Sequence, residues 1–258
     1  MHGLESIDGR LMASLPRVYV GPQAAPHSAV TVKDRRARHH LMDVLRLQEG
    51  DRIECLDGQG GVFEGRLARA GPEGVEIELG GALKARVPSL DLVLAQGVLK
   101  GNRFDWVVQK ATELGVSRLC PLITRRTIVR GSPAGGLTKS ARWRRIALEA
   151  VKQCGRSTVP SVDPPQSLEA FLPQARRANL ILMPTLCVAT KPIREVLQAH
   201  GGVRDVVVLI GPEGDFTQEE VALAQSYGAQ PVSLGAAILR GETASLAALA
   251  ILSYALGR

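Results

Sequence analysis

The sequence predicts an α/β protein in which a small β-rich domain precedes a larger domain built on a mostly parallel sheet. Three observations carry this expectation. Between Arg17 and Leu79, short β-type runs are punctuated by Gly- and Asp-bearing turns, the texture of a small barrel. After Pro88, apolar runs alternate with amphipathic helical stretches, which is the mark of a parallel α/β sheet. Finally, 258 residues that are 45% hydrophobic allow one large domain or two modest ones.

Taken in order, residues 1–15 read as an N-terminal extension without the apolar run of a signal peptide. The first domain, 16–84, places strands at Arg52–Leu56, Val62–Ala68 and Val75–Leu79 around the turn residues Asp57 to Gly61. One helix interrupts it, from Lys33 to about Arg46, with Ala37, Leu41, Val44 and Leu45 inward at helical spacing. The boundary falls near Leu83 to Ser89, and the second domain spans 85–258. Its strands are Leu90–Ala95, Ser117–Leu122, Leu180–Met183, Val206–Ile210 and Pro231–Leu234, with a helix from Arg103 to Leu114. A last helix, from about Glu242 to Leu256, is apolar nearly all round, so it must be covered on most sides by core or by a second subunit.

Charge and cysteine usage narrow the function. A net charge of +7 and a pI near 9.6 favour a polyanionic partner, because phosphate neutralisation releases counterions. Basic residues cluster at Lys33, Arg35, Arg36, Arg38 and His39-His40, and again at Arg125, Arg126, Arg130, Lys139, Arg142, Arg144 and Arg145; together they read as two halves of one RNA footprint. Cys55, Cys120, Cys154 and Cys187 are far apart, which suits a reduced cytoplasm and no metal site. No run approaches the roughly 20 apolar residues of a membrane span.

Two segments have the form of strand, glycine-bearing loop and helix start: Leu209 to Thr217, and Leu234 to Ala244. Loops at the carboxyl ends of strands are where open α/β sheets bind ligands. Neither contains a GxGxxG or Walker spacing, and no Ser-His-Asp set or carboxylate pair stands out. Chemistry that asks little of side chains remains, namely group transfer from an activated cofactor. Arg240 is the candidate catalytic residue, a permanent cation placed for a phosphate or a developing oxyanion.

At these segments the sequence resembles the SPOUT superfamily of knotted methyltransferases, specifically the bacterial small-subunit rRNA uracil-N3 methyltransferase family. The likeness rests on His39-His40-Leu41 with Val44 to Leu47, on Lys100-Gly101 with Gln109 to Gly115, on Gln153 to Arg156, on Ile210 to Gly214, and on Leu239-Arg240 with Glu242 to Ala244. It implies a PUA-like barrel, a trefoil-knotted sheet, a cytoplasmic homodimer, and S-adenosylmethionine as donor for 3-methyluridine in 16S rRNA of the small ribosomal subunit, near the decoding centre. The implied cofactor residues are Leu182, Met183 and Pro184; Ile210, Gly211, Pro212, Glu213 and Gly214; and Leu234, Gly235, Ile238, Leu239, Thr243 and Ala244. Implied RNA contacts are Arg35, Arg36, Arg38, His39, Arg46, Lys100, Arg103, Arg125, Arg126 and Arg156.

The sequence departs from the family pattern at Ala237, where an arginine is frequent, and at Arg125 and Lys152, where acidic residues are. Two other readings compete: a SPOUT enzyme acting on a transfer-RNA base or a ribose 2′-hydroxyl, and a non-catalytic RNA-binding assembly factor. The footprint is testable by itself. Replacing Arg35, Arg36 and Arg38 by alanine should weaken rRNA binding, lower the slope of log affinity against log salt by about 2 to 3, and spare cofactor binding; an unaltered slope would assign these residues to an ordinary solvated face.

Overall fold

The computed structural model describes residues 15–83, 90–128 and 133–257, with 133–137 described by backbone alone. The expected N-terminal extension up to Ser14, most of the expected boundary stretch, and Arg130 lie outside these residues. The chain divides into two compact units, Met1–Arg86 and Val87–Arg258.

The first unit is a five-stranded sheet of β1 (Arg17–Tyr19), β2 (Ala29–Val32), β3 (Arg52–Leu56), β4 (Val62–Gly71) and β5 (Gly74–Leu83), hydrogen-bonded in the order β1-β3-β4-β5-β2. β1 lies parallel to β3, and the remaining pairs are antiparallel. Register shifts in β4 at Phe63/Gly65 and Leu67/Arg69 are bulges, which bend a strand and raise its twist. The sheet wraps a core of Val18, Leu41, Ile53, Phe63, Leu67, Val75 and Ile77.

The expected helix is shorter and less regular than its pattern suggested. α1 (Arg35–His39) starts where the Asp34 side chain accepts a 2.7 Å bond from Ala37 N, and it passes into a π-helical turn over His40–Val44 closed by Leu45 N to His40 O at 2.9 Å. The wider turn carries one more residue than an α-turn. Leu41 therefore reaches the core, but Val44 and Leu45, expected inward, are 56% and 39% exposed.

The second unit is a parallel sheet of β6 (Asp91–Gly97), β7 (Arg118–Ile123), β8 (Ser161–Val162), β9 (Gln166–Ser167), β10 (Leu180–Pro184), β11 (Lys191–Pro192), β12 (Asp205–Ile210) and β13 (Ala229–Ser233). The order is β11-β13-β10-β12-β6-β7-β8, with β9 also on β7. Alternation along the strands sorts side chains into two cores. Leu92, Leu94, Leu180, Leu182, Val206, Val208 and Ile210 meet α2 (Arg103–Glu113), α3 (Pro133–Cys154), α5 (Ile193–Ala199) and α7 (Gly241–Leu256). Val93, Ala95, Ile181, Met183, Val207 and Leu209 meet α4 (Leu168–Ala175) and α6 (Gln218–Ser226). A strand buried on both faces reads as a continuous apolar run, as β12 does.

Arg156 has been recruited to this architecture. Its Nη1 donates to the carbonyls of Thr112 and Val116, both at 2.8 Å, and Nη2 donates to Thr158 Oγ1 at 3.3 Å. Burial lowers its pKa from the ordinary arginine value. Arg156, expected at the RNA, here braces the end of α2 from within. Arg156→Met should cost about 2 kcal/mol of stability, since hydrogen bonds from a charged donor contribute roughly 1.5–3 kcal/mol; thermal melting would show the loss, and rRNA affinity should stay within twofold of wild type.

Candidate active site

Three loops meet at the carboxyl ends of β10, β12 and β13, on the side of the sheet where β6 has β12 as one neighbour and β7 as the other. Chain order and strand order part company there, which opens a crevice. Gln96, at the end of β6 and fully buried, fixes the crevice floor. Its Nε2 donates to Gly97 O at 2.9 Å and to Gly211 O at 3.1 Å, and its Oε1 accepts from Ser245 Oγ on α7. Gly97 must be glycine, because a Cβ there would lie 2.5 Å from Pro212 N.

The loop after β12 is pinned from both sides. Asp215 adopts a left-handed φ of 59°, and its Oδ2 accepts from Thr185 Oγ1 at 2.9 Å and Leu186 N at 2.8 Å, which joins this loop to the one after β10. Arg126 Nη1 donates to Gly214 O at 2.7 Å and Phe216 O at 3.3 Å. Glu213 Oε1 accepts from Lys100 N at 2.9 Å and faces Arg103 Nη1 at 3.2 Å. A Thr217–Glu220 capping box starts α6, and buried Glu220 also accepts from Arg125 N at 2.9 Å.

Between the loops lies a cavity of about 510 Å³, walled by Pro184, Leu186, Ile210, Leu234, Ile238 and Leu239 and floored by Gly211, Pro212 and Gly235. That volume is in the range of small-molecule sites, and its mostly apolar wall with a few polar groups suits such a ligand. Leu186 and Ile238 are 67% and 80% exposed at the rim. Arg103 and Arg240 belong both to this cavity and to a second of about 660 Å³ that also touches Lys100, Trp106 and Glu242. Arg240 is exposed at the N-cap of α7 and forms no ion pair with Glu242, two residues along.

Neither Cys55 nor Cys120 is placed to serve as a nucleophile here. Burial pushes the Cys55 thiol up to about 12 and raises Cys120 still further, with the hydrogen bond to Asp163 adding to the effect. Neither lines the cavity. Among the described residues no group of three His, Cys, Asp or Glu side chains gathers as a metal site.

Comparison with known proteins bears on this geometry. A family profile described as an RNA methyltransferase domain matches residues 86–253, and an RNA methyltransferase PUA domain matches 33–80. Ribosomal RNA small subunit methyltransferase E of Synechocystis sp. is 33% identical over 91% of this chain and 76% of its own length. The chain belongs to the ribosomal RNA small subunit methyltransferase E family. The namesake from Rickettsia conorii is 29% identical over 91% of this chain and 93% of its own. A crystal structure of the Neisseria gonorrhoeae member bound to S-adenosylmethionine matches with TM-score 0.82 and 31% identity, covering 94% of this chain and 98% of that one. A Legionella pneumophila structure with bound cofactor SAM gives 0.82 and 33%, covering 95% and 99%.

Against the expectations for this methyltransferase family, the structure brings Pro184, Ile210, Gly211, Pro212, Glu213, Leu234, Gly235, Ile238, Leu239 and Ala244 to the cavity. It does not bring Leu182 and Met183, which are fully buried in opposite cores. Gly214 is outside too, its carbonyl held by Arg126, and Thr243 faces the second cavity. Asp215, Thr185 and Leu186 were missed; Asp215 follows a glycine in a loop, a position where a short acidic side chain commonly pins backbone. Among the expected RNA contacts, Arg35, Arg36, Arg38, His39 and Arg46 are exposed on the first unit. His39 pairs with Asp43 at 2.8 Å, and Arg38 Nε donates to Gly71 O at 3.3 Å. Lys100 and Arg125 are exposed on the second unit.

Gly235 has φ 145°, and a Cβ there would meet nothing within 4 Å. Its backbone is thus bare toward open space at the cavity wall, in a conformation that favours glycine. Gly235→Val should abolish S-adenosylmethionine binding in titration calorimetry and lower the melting temperature by no more than a few degrees; undiminished affinity would remove Gly235 from the site.

Proposed function

We propose that this chain transfers the methyl group of S-adenosylmethionine to N3 of a uracil in 16S rRNA of the small ribosomal subunit, acting in the cytoplasm as a homodimer with a knotted catalytic domain. The observation that carries the reading is the glycine-floored cavity at the strand ends with Arg240 on its rim, in a chain whose relatives bear the corresponding name. Residues 16–84 would serve as the RNA-binding module and 85–258 as the catalytic one.

The wall of Pro184, Leu234, Ile238 and Leu239 offers apolar contact to an adenosine, while the bare backbone at Gly211 and Gly235 offers polar groups. When bound, the cofactor supplies an electrophilic methyl on a sulfonium. The chain's task is then to orient a uracil and to move one proton, because N3 is protonated at neutral pH. Loss of that proton spreads negative charge over the two ring carbonyls. A guanidinium fixed beside them favours the anion and the transition state that resembles it. Arg240 occupies that role, anchored by its backbone at the start of α7 where the helix dipole adds to its charge.

The homodimer is supported by α7. Ser245, Ala248, Leu249 and Leu252 are buried within the chain, whereas Ala250 is exposed, Ile251 is half-buried, and Tyr254 is 92% exposed. A symmetric pair would cover that surplus apolar face.

Labelled cofactor offered in parallel to naked 16S rRNA, small subunits and transfer RNA, followed by nucleoside mass analysis, tests the substrate. A product in transfer RNA or a 2′-O-methylated ribose would overturn it. Arg240→Lys should slow single-turnover methyl transfer about tenfold or more, since a point charge replaces a planar fork, with cofactor affinity nearly unchanged. A variant as fast as wild type at every pH would rule out this role.

A further inference from the structure

The second cavity carries an inference that rests on uracil-N3 methylation as proposed above and goes beyond it. Glu242 lines this cavity, and its Oε2 is shielded from solvent with no hydrogen-bond partner, the single such side-chain atom among the described residues. A shielded acceptor without a donor is costly, and such groups in native proteins commonly await a partner. We infer that this cavity receives the target uracil against Trp106, and that Glu242 accepts its N3–H and then takes the proton.

Three features support the assignment. The first is complementarity: the Watson–Crick edge of uracil presents one N–H donor flanked by two carbonyl acceptors, and the cavity is lined by one carboxylate, Glu242, and by the donors Lys100, Arg103 and Arg240. Cytosine carries a lone pair at N3 and would set an acceptor against the carboxylate, so the same arrangement rejects it. The second is availability. Glu213, the other carboxylate near the shared wall, already accepts from Lys100 N and pairs with Arg103. The third is Trp106, 43% exposed on the cavity wall, an indole face of the kind on which bases stack.

The carboxylate plane of a glutamate turns about a soft, twofold torsion, so either oxygen of Glu242 can be presented to the cavity. In the step proposed, the N3 proton passes to Glu242. The N–H bonding pair stays on N3 and forms the new N–CH3 bond as the methyl–sulfur bond breaks, its electrons remaining on sulfur as a neutral thioether. The other charged groups lining the cavity with Glu242 are Lys100, Arg103 and Arg240, all cationic, and they stabilise the negative charge as it passes from the carboxylate to the uracil with the proton's movement.

Glu242→Gln keeps shape and removes the proton acceptor. Single-turnover formation of 3-methyluridine should fall about 100-fold or more near neutral pH, and the remaining rate should climb tenfold per pH unit as hydroxide takes over. Cofactor affinity by calorimetry should stay within twofold and the melting temperature should not fall. Binding, read without turnover, gives a second measure: rRNA fragments with cytidine in place of the methylated uridine should bind wild type at least tenfold more weakly, and Glu242→Gln should erase most of that difference. Trp106→Ala should weaken both fragments alike. A Glu242→Gln enzyme within threefold of wild type with the same pH slope would overturn the inference. So would a fall in rate accompanied by equal losses of cofactor affinity and melting temperature, which would reduce Glu242 to a support for the start of α7. If wild type itself yielded a methylated nucleoside other than 3-methyluridine, the substrate reading would fail instead, and with it the role of the cavity.

Discussion

The amide of Gln96 is the contact on which the catalytic unit depends. A buried polar side chain must be fully hydrogen-bonded or it destabilises the fold, and here each of its bonds reaches a different part of the crevice: the end of its own strand, the loop after β12 through Gly211, and α7 through Ser245. The three elements are brought together by one planar group with no freedom to satisfy itself elsewhere. Hydrophobic burial on either face of the sheet holds the strands, but it is nondirectional; the position of the loops relative to α7 comes from this network and from the Asp215 bonds to the loop after β10.

Much of the fold was legible in the sequence because its cues are local. Apolar runs marked β6, β10 and β12, and the amphipathic pattern marked α2, since those periodicities follow from backbone geometry. Less was legible where three-dimensional competition decides. Val44 and Leu45 have helical spacing, yet a single π turn changes the phase. Leu182 and Met183 precede a ligand loop, but the alternation of a two-faced strand consumes both in the cores. The long α3, the short β1 and β2, and the edge strands β8, β9 and β11 had no distinct signal. They are short or amphiphilic segments whose structure is set by what they pack against.

The same distinction governs charge. Arg126 and Arg156 were read from sequence with the RNA contacts and Arg240 as catalytic; the structure shows what surrounds each. Arg156 is spent on carbonyls at the end of α2, and Arg126 on carbonyls of the loop after β12. Arg240, by contrast, lines both cavities and forms no ion pair among the described residues. Composition cannot tell Arg126 and Arg156 from a surface arginine; the backbone carbonyls within hydrogen-bond reach do.

The wall shared by the two cavities has a thermodynamic consequence. Arg103 and Arg240 line both, so a ligand that reorients either guanidinium alters the other cavity. Occupants of such adjoining chambers obey linkage: whatever factor one ligand imposes on the other's affinity is returned unchanged. Substrate and product states of the methyl donor differ by a full positive charge, and two arginines in the partition make that difference felt on the far side. With the target uracil in the second cavity, as inferred above, release of the spent donor and release of the modified RNA become coupled through the two shared arginines.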